Sequence, residues 1–232
     1  VVPDLITSAG LMSGCISLAS AFAGRFELSA LMIGVSIACD SLDGLIARGS
    51  RTASRFGIEY DSLSDVVAFG VAPASLVYTW ALKPLGMWGI SIVGIFVICA
   101  ALRLGRFNIQ AGTSAGKTRF VGLPVPGAAA VIAGILFGYQ FFGLNSPRAL
   151  CAVMIVITLV LAGLMVSRLP YPALKSVDLR ARKFEIGLAL FIAAILLVLA
   201  PRLAAFVAGA AYLISGPVLA LTGEHIEEIS SD

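Results

Sequence analysis

The sequence predicts an all-α, polytopic membrane protein with about eight transmembrane helices, and three observations carry that prediction. The mean hydropathy is +1.00. Apolar residues make up 59% of the 232-residue chain and charged residues only 12%, against roughly 25% charged in an average soluble domain. The apolar residues also fall into runs of roughly 20, the length needed to cross the hydrocarbon core as a helix with all its backbone groups paired. A soluble globule of this size needs a polar skin that this chain cannot supply. Disordered chains and strongly basic nucleic-acid binders are excluded by the same composition.

The spans follow in order. The first, 4–23, has no basic leading segment and no small-residue cleavage site, so it reads as a span and not a signal peptide. With no Met ahead of Val1, the start reads as trimmed. The second, 28–48, is apolar until acids enter its last third, and the third, 57–81, becomes apolar only after Asp65. The fourth, 87–107, carries Arg103 and Arg106 near its end. The fifth, 120–142, has Pro124 and Pro126 at its edge, tolerated where backbone lines a cavity. The sixth, 148–168, is uninterrupted. The seventh and eighth, 184–200 and 202–221, read as a hairpin divided at Pro201-Arg202, with Gly216-Pro217 able to kink the last helix. The whole chain reads as one membrane domain, a core over 1–168 with the extra hairpin over 184–221.

Basic residues set the orientation. Arg48, Arg51, Arg55, Arg103, Arg106, Lys117, Arg119, Arg168, Lys175, Arg180, Arg182 and Lys183 are twelve of the sixteen Lys and Arg, and all fall on one side of an eight-span topology. Arg25, Lys83, Arg148 and Arg202 fall on the other. The expectation is that the first group and both termini face the cytoplasm. Trp80 and Trp88 flank the 82–87 loop, where interfacial aromatic anchors are expected. The cysteines (Cys15, Cys39, Cys99, Cys151) are scattered singly in apolar runs and read as packing residues. His225, the only His, reads as part of a solvated tail.

The chemistry lies where carboxylates are costly. Asp40 and Asp43 are three apart near the end of the second span; Asp61 and Asp65 are four apart near the start of the third. Those spacings put each pair on one helical face. A short basic loop makes the two spans antiparallel neighbours, so the acidic faces meet. One intramembrane charge costs at least ~2.5–3.5 kcal/mol, and four clustered like charges also repel. No Lys or Arg shares that depth in these helices, so a divalent cation is the natural counter-charge. All-oxygen ligands favour Mg²⁺ or Mn²⁺, and two ions can share four carboxylates. Such a site beside basic loops suits phosphate or pyrophosphate chemistry. Gly44 and Gly57 keep the surroundings open, or serve close helix packing. The competing reading of the four acids is a proton or ion relay in a cation-coupled transporter. That reading places carboxylates near the bilayer midplane, not toward the helix ends.

These residues form the string Asp40-x2-Asp43-Gly44-x2-Ala47-Arg48-x8-Gly57-x3-Asp61-x3-Asp65. It resembles the signature of the CDP-alcohol phosphatidyltransferase family at every fixed position. The segments Phe56 to Pro73, Ala101 to Asn108 and Phe120 to Pro126 look like the membrane-embedded bacterial and archaeal branch that uses serine. The resemblance covers roughly residues 3–130. One departure is Pro3-Asp4, where relatives usually carry Pro-Asn.

The resemblance implies a six-helix core, a homodimer, a prokaryotic inner or plasma membrane, and a polar site open to cytoplasm and lipid. It implies transfer of the phosphatidyl group of CDP-diacylglycerol to the hydroxyl of L-serine, with CMP leaving; a sister reaction would use glycerol 3-phosphate, an inositol phosphate or another alcohol. Asp40, Asp43 and Asp61 are then metal ligands, and Asp65 is both a member of the metal site and the base for the acceptor hydroxyl. Asp40, Gly44, Ala47, Arg48, Gly57 and Asp61 lie about the CDP moiety, although Arg48 equally suits a loop anchor. Arg103, Arg106, Asn108 and Arg119 are candidates for holding the serine carboxylate or the lipid phosphate, since arginine pairs with either in a bidentate fork. The competing reading of these basic residues is membrane topology with anionic-lipid contact.

Overall fold

A computed structural model of the chain describes residues 2–50, 55–111, 122–167 and 200–221. Among them every regular element is helical, as the hydropathy pattern requires. The expected seventh span at 184–200 lies, but for its last residue, outside the described residues, as do Lys117, Arg119, His225 and the basic cluster at 168–183.

Helices α1 (Val2–Phe22) and α2 (Phe26–Ser50) form a tight antiparallel hairpin. Small and hydroxylated residues make the seam. Ser17 Oγ donates to Ser29 O at 2.9 Å and pairs with Ser29 Oγ at 3.0 Å, and Ser36 Oγ donates to Gly10 O at 2.9 Å. In hydrocarbon, where lipid and side chain are equally apolar, such close packing and interhelical hydrogen bonds are what hold helices together.

The third rod begins as α3 (Arg55–Asp65) and runs on through a π-helical stretch Val66–Val71, α4 (Ala72–Val77), a second π-helical stretch Tyr78–Leu82 and a 3₁₀ turn Lys83–Leu85. Pro73 explains the first irregularity. It has no N–H to offer Phe69 O, and its ring would clash with that carbonyl. The backbone widens just ahead of it, and Ala72 N–H reaches back to Val67 O. Gly14 lets α1 lie directly on this rod: a Cβ there would sit 2.8 Å from the Ala68 Cα.

Helices α5 (Met87–Ala111), α6 (Val125–Phe141) and α7 (Pro147–Val166) complete the central bundle. The core lies where these rods meet, around Phe69, Leu76, Phe96, Ile132, Leu136, Met154 and Leu161, all essentially without solvent exposure. Among the described residues, four segments are long and apolar enough to cross a bilayer: Leu5–Phe22, Phe56–Leu85, Met87–Ile109 and Pro147–Val166. Val125–Phe141 and Arg202–Ile214 are apolar but shorter. Helix α2 has the length, at 25 residues, but Glu27, Asp40, Asp43 and Arg48 dilute its apolar character.

The last described helix, α8 (Pro201–Leu221), lies antiparallel along α6. Phe206 covers Gly138, the Ala205 backbone meets Gly134, Gly209 meets Val131 and Tyr212 meets Gly127. At Gly134 a Cβ would stand 2.7 Å from the Ala205 carbonyl oxygen, so only glycine permits the contact. Arg202 Nη2 also bonds Glu27 Oε1 at 3.0 Å, which sets the start of α8 beside the start of α2. Arg202 and Glu27 therefore share one end of the bundle, opposite the acidic pairs. The two tryptophans divide. Trp88 is 78% exposed, as an interfacial anchor should be. Trp80 is partly buried and packs edge-on against Tyr139, with centroids 5.5 Å apart.

Candidate active site

Asp40 stands near the end of α2, and Asp61 and Asp65 stand one turn apart on α3. Because the two helices run antiparallel, the three meet: one carboxylate oxygen from each lies within 4.8 Å of the others. All three are half-buried. They open onto a narrow cleft walled by α1, α2 and the third rod, through Thr7, Gly10, Ser36, Ser64, Ala68 and Phe69 among others.

Asp43 is held differently. Its Oδ2 accepts a 2.6 Å hydrogen bond from Thr7 Oγ1 on α1. Its Oδ1 is buried and has no hydrogen-bond partner. Ser64 Oγ, in the wall of the cleft, is likewise buried without a partner. Buried polar atoms are normally satisfied, so these two mark where a ligand would supply contacts. Three clustered carboxylates with adjacent oxygen atoms form a donor set suited to a hard divalent cation.

Gly44 is exposed on α2, and Gly57 opens α3. The backbone at Ala47 and Arg48 continues α2, so both positions follow the acids along the same helix. On α5, Arg103 is buried at 9% exposure, with its guanidinium 5.8 Å from the centroid of the Phe107 ring. It is close enough to Asp65 for their charges to act on each other. Arg106 is exposed and reaches the end of α7, donating from Nη1 to Val166 O at 3.2 Å. Asn108 Nδ2 donates to Ser62 Oγ at 2.7 Å and ties α5 to α3. Of the anticipated acceptor residues, then, Arg103 is buried on α5, while Arg106 and Asn108 contact neighbouring helices; Arg119 lies outside the described residues.

Helix α1 carries contacts that sequence reasoning assigned to no role. Thr7 engages Asp43, and Ser8 Oγ pairs with Tyr60 OH at 2.9 Å. The available signal was two adjacent hydroxyls near the start of the first span, on the side to which the acids belong.

The family profile for CDP-alcohol phosphatidyltransferase matches residues 1–162, which contain all four acids. The CDP-diacylglycerol–serine O-phosphatidyltransferase of Helicobacter pylori (strain ATCC 700392 / 26695) is 36% identical over 185 residues, 78% of this chain and 76% of the relative. The archaetidylserine synthase of Methanothermobacter thermautotrophicus is 35% identical over 173 residues, 74% and 69% of the two chains. The CDP-diacylglycerol–serine O-phosphatidyltransferase of Mycobacterium leprae is 33% identical over 220 residues, 92% of this chain and 72% of the relative.

Proposed function

The chain belongs to the CDP-alcohol phosphatidyltransferase family, and from that premise we propose that it makes phosphatidylserine by transferring the phosphatidyl group of CDP-diacylglycerol to the hydroxyl of L-serine, releasing CMP. The observation that carries the proposal is the meeting of Asp40, Asp61 and Asp65 at one point, inside the segment that matches the family. The serine acceptor is supported by relatives from bacteria and an archaeon whose names agree on serine while differing in the lipid. Family membership displaces the coupled-transporter reading of the same acids.

Asp40, Asp61 and Asp65, with Asp43 beside them, would hold Mg²⁺ or Mn²⁺. Two such ions would supply Lewis-acid charge neutralisation at the diphosphate. The chain's own groups do the rest. In the net reaction a bond forms between the serine oxygen and the phosphorus that bears diacylglycerol. The bond from that phosphorus to the CMP phosphate breaks, and the hydroxyl proton leaves. Asp65, a full turn deeper than Asp61, is the carboxylate placed to take that proton, since a neutral hydroxyl is a poor nucleophile without a base. Arg103 binds the anionic end of an incoming molecule, the serine carboxylate or the lipid phosphate. Gly44, Ala47, Arg48 and Gly57 flank the nucleotide.

The site faces the cytoplasm, a reading supported by the sidedness of the Lys and Arg residues. The active species is a homodimer, supported by the resemblance to the family. The decisive experiment is an acceptor panel: purified protein, CDP-diacylglycerol and Mn²⁺ with L-serine, glycerol 3-phosphate or an inositol phosphate. The proposal expects CMP release with serine. Release only with a phosphorylated alcohol would reassign the chain to a sister reaction.

A further inference from the structure

Ser64 carries a hydroxyl that the fold has buried beside the acids. The residue is 4% exposed, and its Oγ meets no hydrogen-bond partner among the described residues. A helical serine has an easy alternative: its hydroxyl can return to the carbonyl one turn back. Ser41, Ser62, Ser91 and Thr79 all do so, donating to Ile37 O, Ile58 O, Met87 O and Ser75 O at 2.7 to 3.0 Å. Ser64 makes no such bond to Tyr60 O. A buried hydroxyl left unpaired is costly, so its direction calls for a physical reason.

The seam between α1 and the third rod supplies it. Tyr60, Ser64 and Ala68 stand on successive turns, four residues apart. Tyr60 OH pairs with Ser8 Oγ at 2.9 Å, and Ala68 lies directly against Gly14, where a Cβ would stand 2.8 Å from the Ala68 Cα. The seam is therefore closed one turn to either side of Ser64. Between those closures Ser64, with Thr7, Gly10 and Leu11 of α1, lines the cleft that also receives Asp40, Asp61 and Asp65. Two other hydroxyls in its wall are committed: Thr7 Oγ1 to Asp43 Oδ2 at 2.6 Å and Ser36 Oγ to Gly10 O at 2.9 Å. The cleft has room for about one water or one small ion. What fits against Ser64 is thus an ion or a water that an ion carries, not an amino acid or a nucleotide. A hard divalent cation keeps several of its waters, and a hydroxyl oxygen can accept from one of them.

We propose that Ser64 is a fourth side chain of the ion site: its Oγ accepts a hydrogen bond from a water carried by the divalent ion that Asp40, Asp61 and Asp65 hold. This rests on the reading of those acids as metal ligands, and not on which alcohol is the acceptor. Ser64 lies between Asp61 and Asp65, at a position that the spaced signature leaves open. If it served only as a small residue in the seam with α1, alanine would replace it without effect on the ion. If it holds an ion's water, loss of the hydroxyl loosens the ion and relieves the metal-free protein of an unpaired group.

The test uses the full chain in detergent micelles and Mn²⁺ alone as the probe, with binding followed by electron paramagnetic resonance. Ser64→Ala is expected to raise the Mn²⁺ dissociation constant about tenfold, the lower end of what a hydrogen-bond partner of a metal's ligand contributes. In chelator its thermal midpoint is expected to equal or exceed that of wild type, because alanine deletes a buried hydroxyl that the metal-free protein leaves unpaired. Ser64→Cys keeps the shape of the side chain but offers only a weak acceptor, and is expected to bind Mn²⁺ no more tightly than Ser64→Ala. Thr158→Val is the control. Thr158 Oγ1 is also buried without a partner, on α7 and outside the cleft, and this variant is expected to bind Mn²⁺ as wild type does.

An unchanged Mn²⁺ dissociation constant in Ser64→Ala overturns the proposal. So does a wild-type constant in Ser64→Cys, which would show that shape matters and not the hydroxyl. A midpoint that falls in chelator overturns it too, since Ser64 would then be bonded within the metal-free protein, and equal loosening in Thr158→Val would trace the effect to core packing. Failure of the serine reading looks different: the wild-type chain binds Mn²⁺ but releases no CMP with serine, and the Mn²⁺ constants of the variants still decide the role of Ser64. A wild-type chain that binds no Mn²⁺ overturns the metal reading and this proposal together.

Discussion

Thr7 on α1 donates a 2.6 Å hydrogen bond to Oδ2 of Asp43 on α2, thirty-six residues away in sequence. This contact joins α1 to the end of α2 that carries Asp40 and Asp43. It aims one carboxylate oxygen and leaves the other, Oδ1, without a protein partner. Thr7→Val keeps the shape and removes the donor. Groups that orient a ligating carboxylate typically affect metal affinity by about 10–100-fold. The expected result is a Mn²⁺ activation constant raised about tenfold, with helical content unchanged, measured as CMP release against Mn²⁺ concentration. An unaltered constant would remove Thr7 from the site.

Asp61→Asn should separate function from stability. The side chain keeps its size but no longer provides a charged oxygen to the cluster it forms with Asp40 and Asp65. CMP release is expected to fall to background. In chelator, however, the thermal midpoint is expected to rise, by roughly 2–4 °C for each kcal/mol of repulsion relieved. A midpoint that falls would show that the three carboxylates do not repel one another in the metal-free protein.

The α6–α8 seam predicts a packing defect at Gly134. A Cβ at that position meets the Ala205 carbonyl oxygen at 2.7 Å, and backbone cannot swing aside as a side chain can. Gly134→Leu is expected to destabilise the protein by about 1–3 kcal/mol, the usual cost of overpacking. Thermal melting in detergent measures it, and an unchanged midpoint would show that α8 does not lie on α6.

Arg202 and Glu27 make the opposite kind of prediction. Their side chains are each 49% exposed, and an exposed ion pair is worth little once solvent screening and side-chain entropy are counted. Arg202→Ala is expected to shift stability by less than about 1 kcal/mol and to leave CMP release at wild-type rate. A large loss would mean that this pair, and not the glycine seam, anchors α8.

The acidic centre was legible in the sequence because its signal is local and costly. Asp40, Asp43, Asp61 and Asp65 stand at helical spacings in segments where hydrophobicity forbids idle charge. The antiparallel turn between them left one way for Asp40 to meet Asp61 and Asp65. What escaped sequence reasoning depends on packing between distant segments. Nothing in the string around Tyr212 says that it will rest on Gly127, since that follows from how α8 runs along α6. Trp80 resembled a second interfacial anchor because its neighbours in sequence are those of a helix end. Its contact with Tyr139 depends on how α6 packs against the third rod, which the residues around Trp80 do not show. Arg103 and Arg106, three apart, looked equivalent on a helical wheel. The end of α7 draws Arg106 to the Val166 carbonyl, while Arg103 is buried against the Phe107 ring.

The most direct test of the account is a Mn²⁺ titration of the purified chain, followed by electron paramagnetic resonance, for wild type and for Asp40→Asn, Asp61→Asn and Asp65→Asn. The account predicts saturable binding in wild type and its loss in each variant, since all three carboxylates serve one ion-binding centre. Wild-type chain that binds no Mn²⁺ even with CDP-diacylglycerol present, or variants that bind it as wild type does, would contradict it.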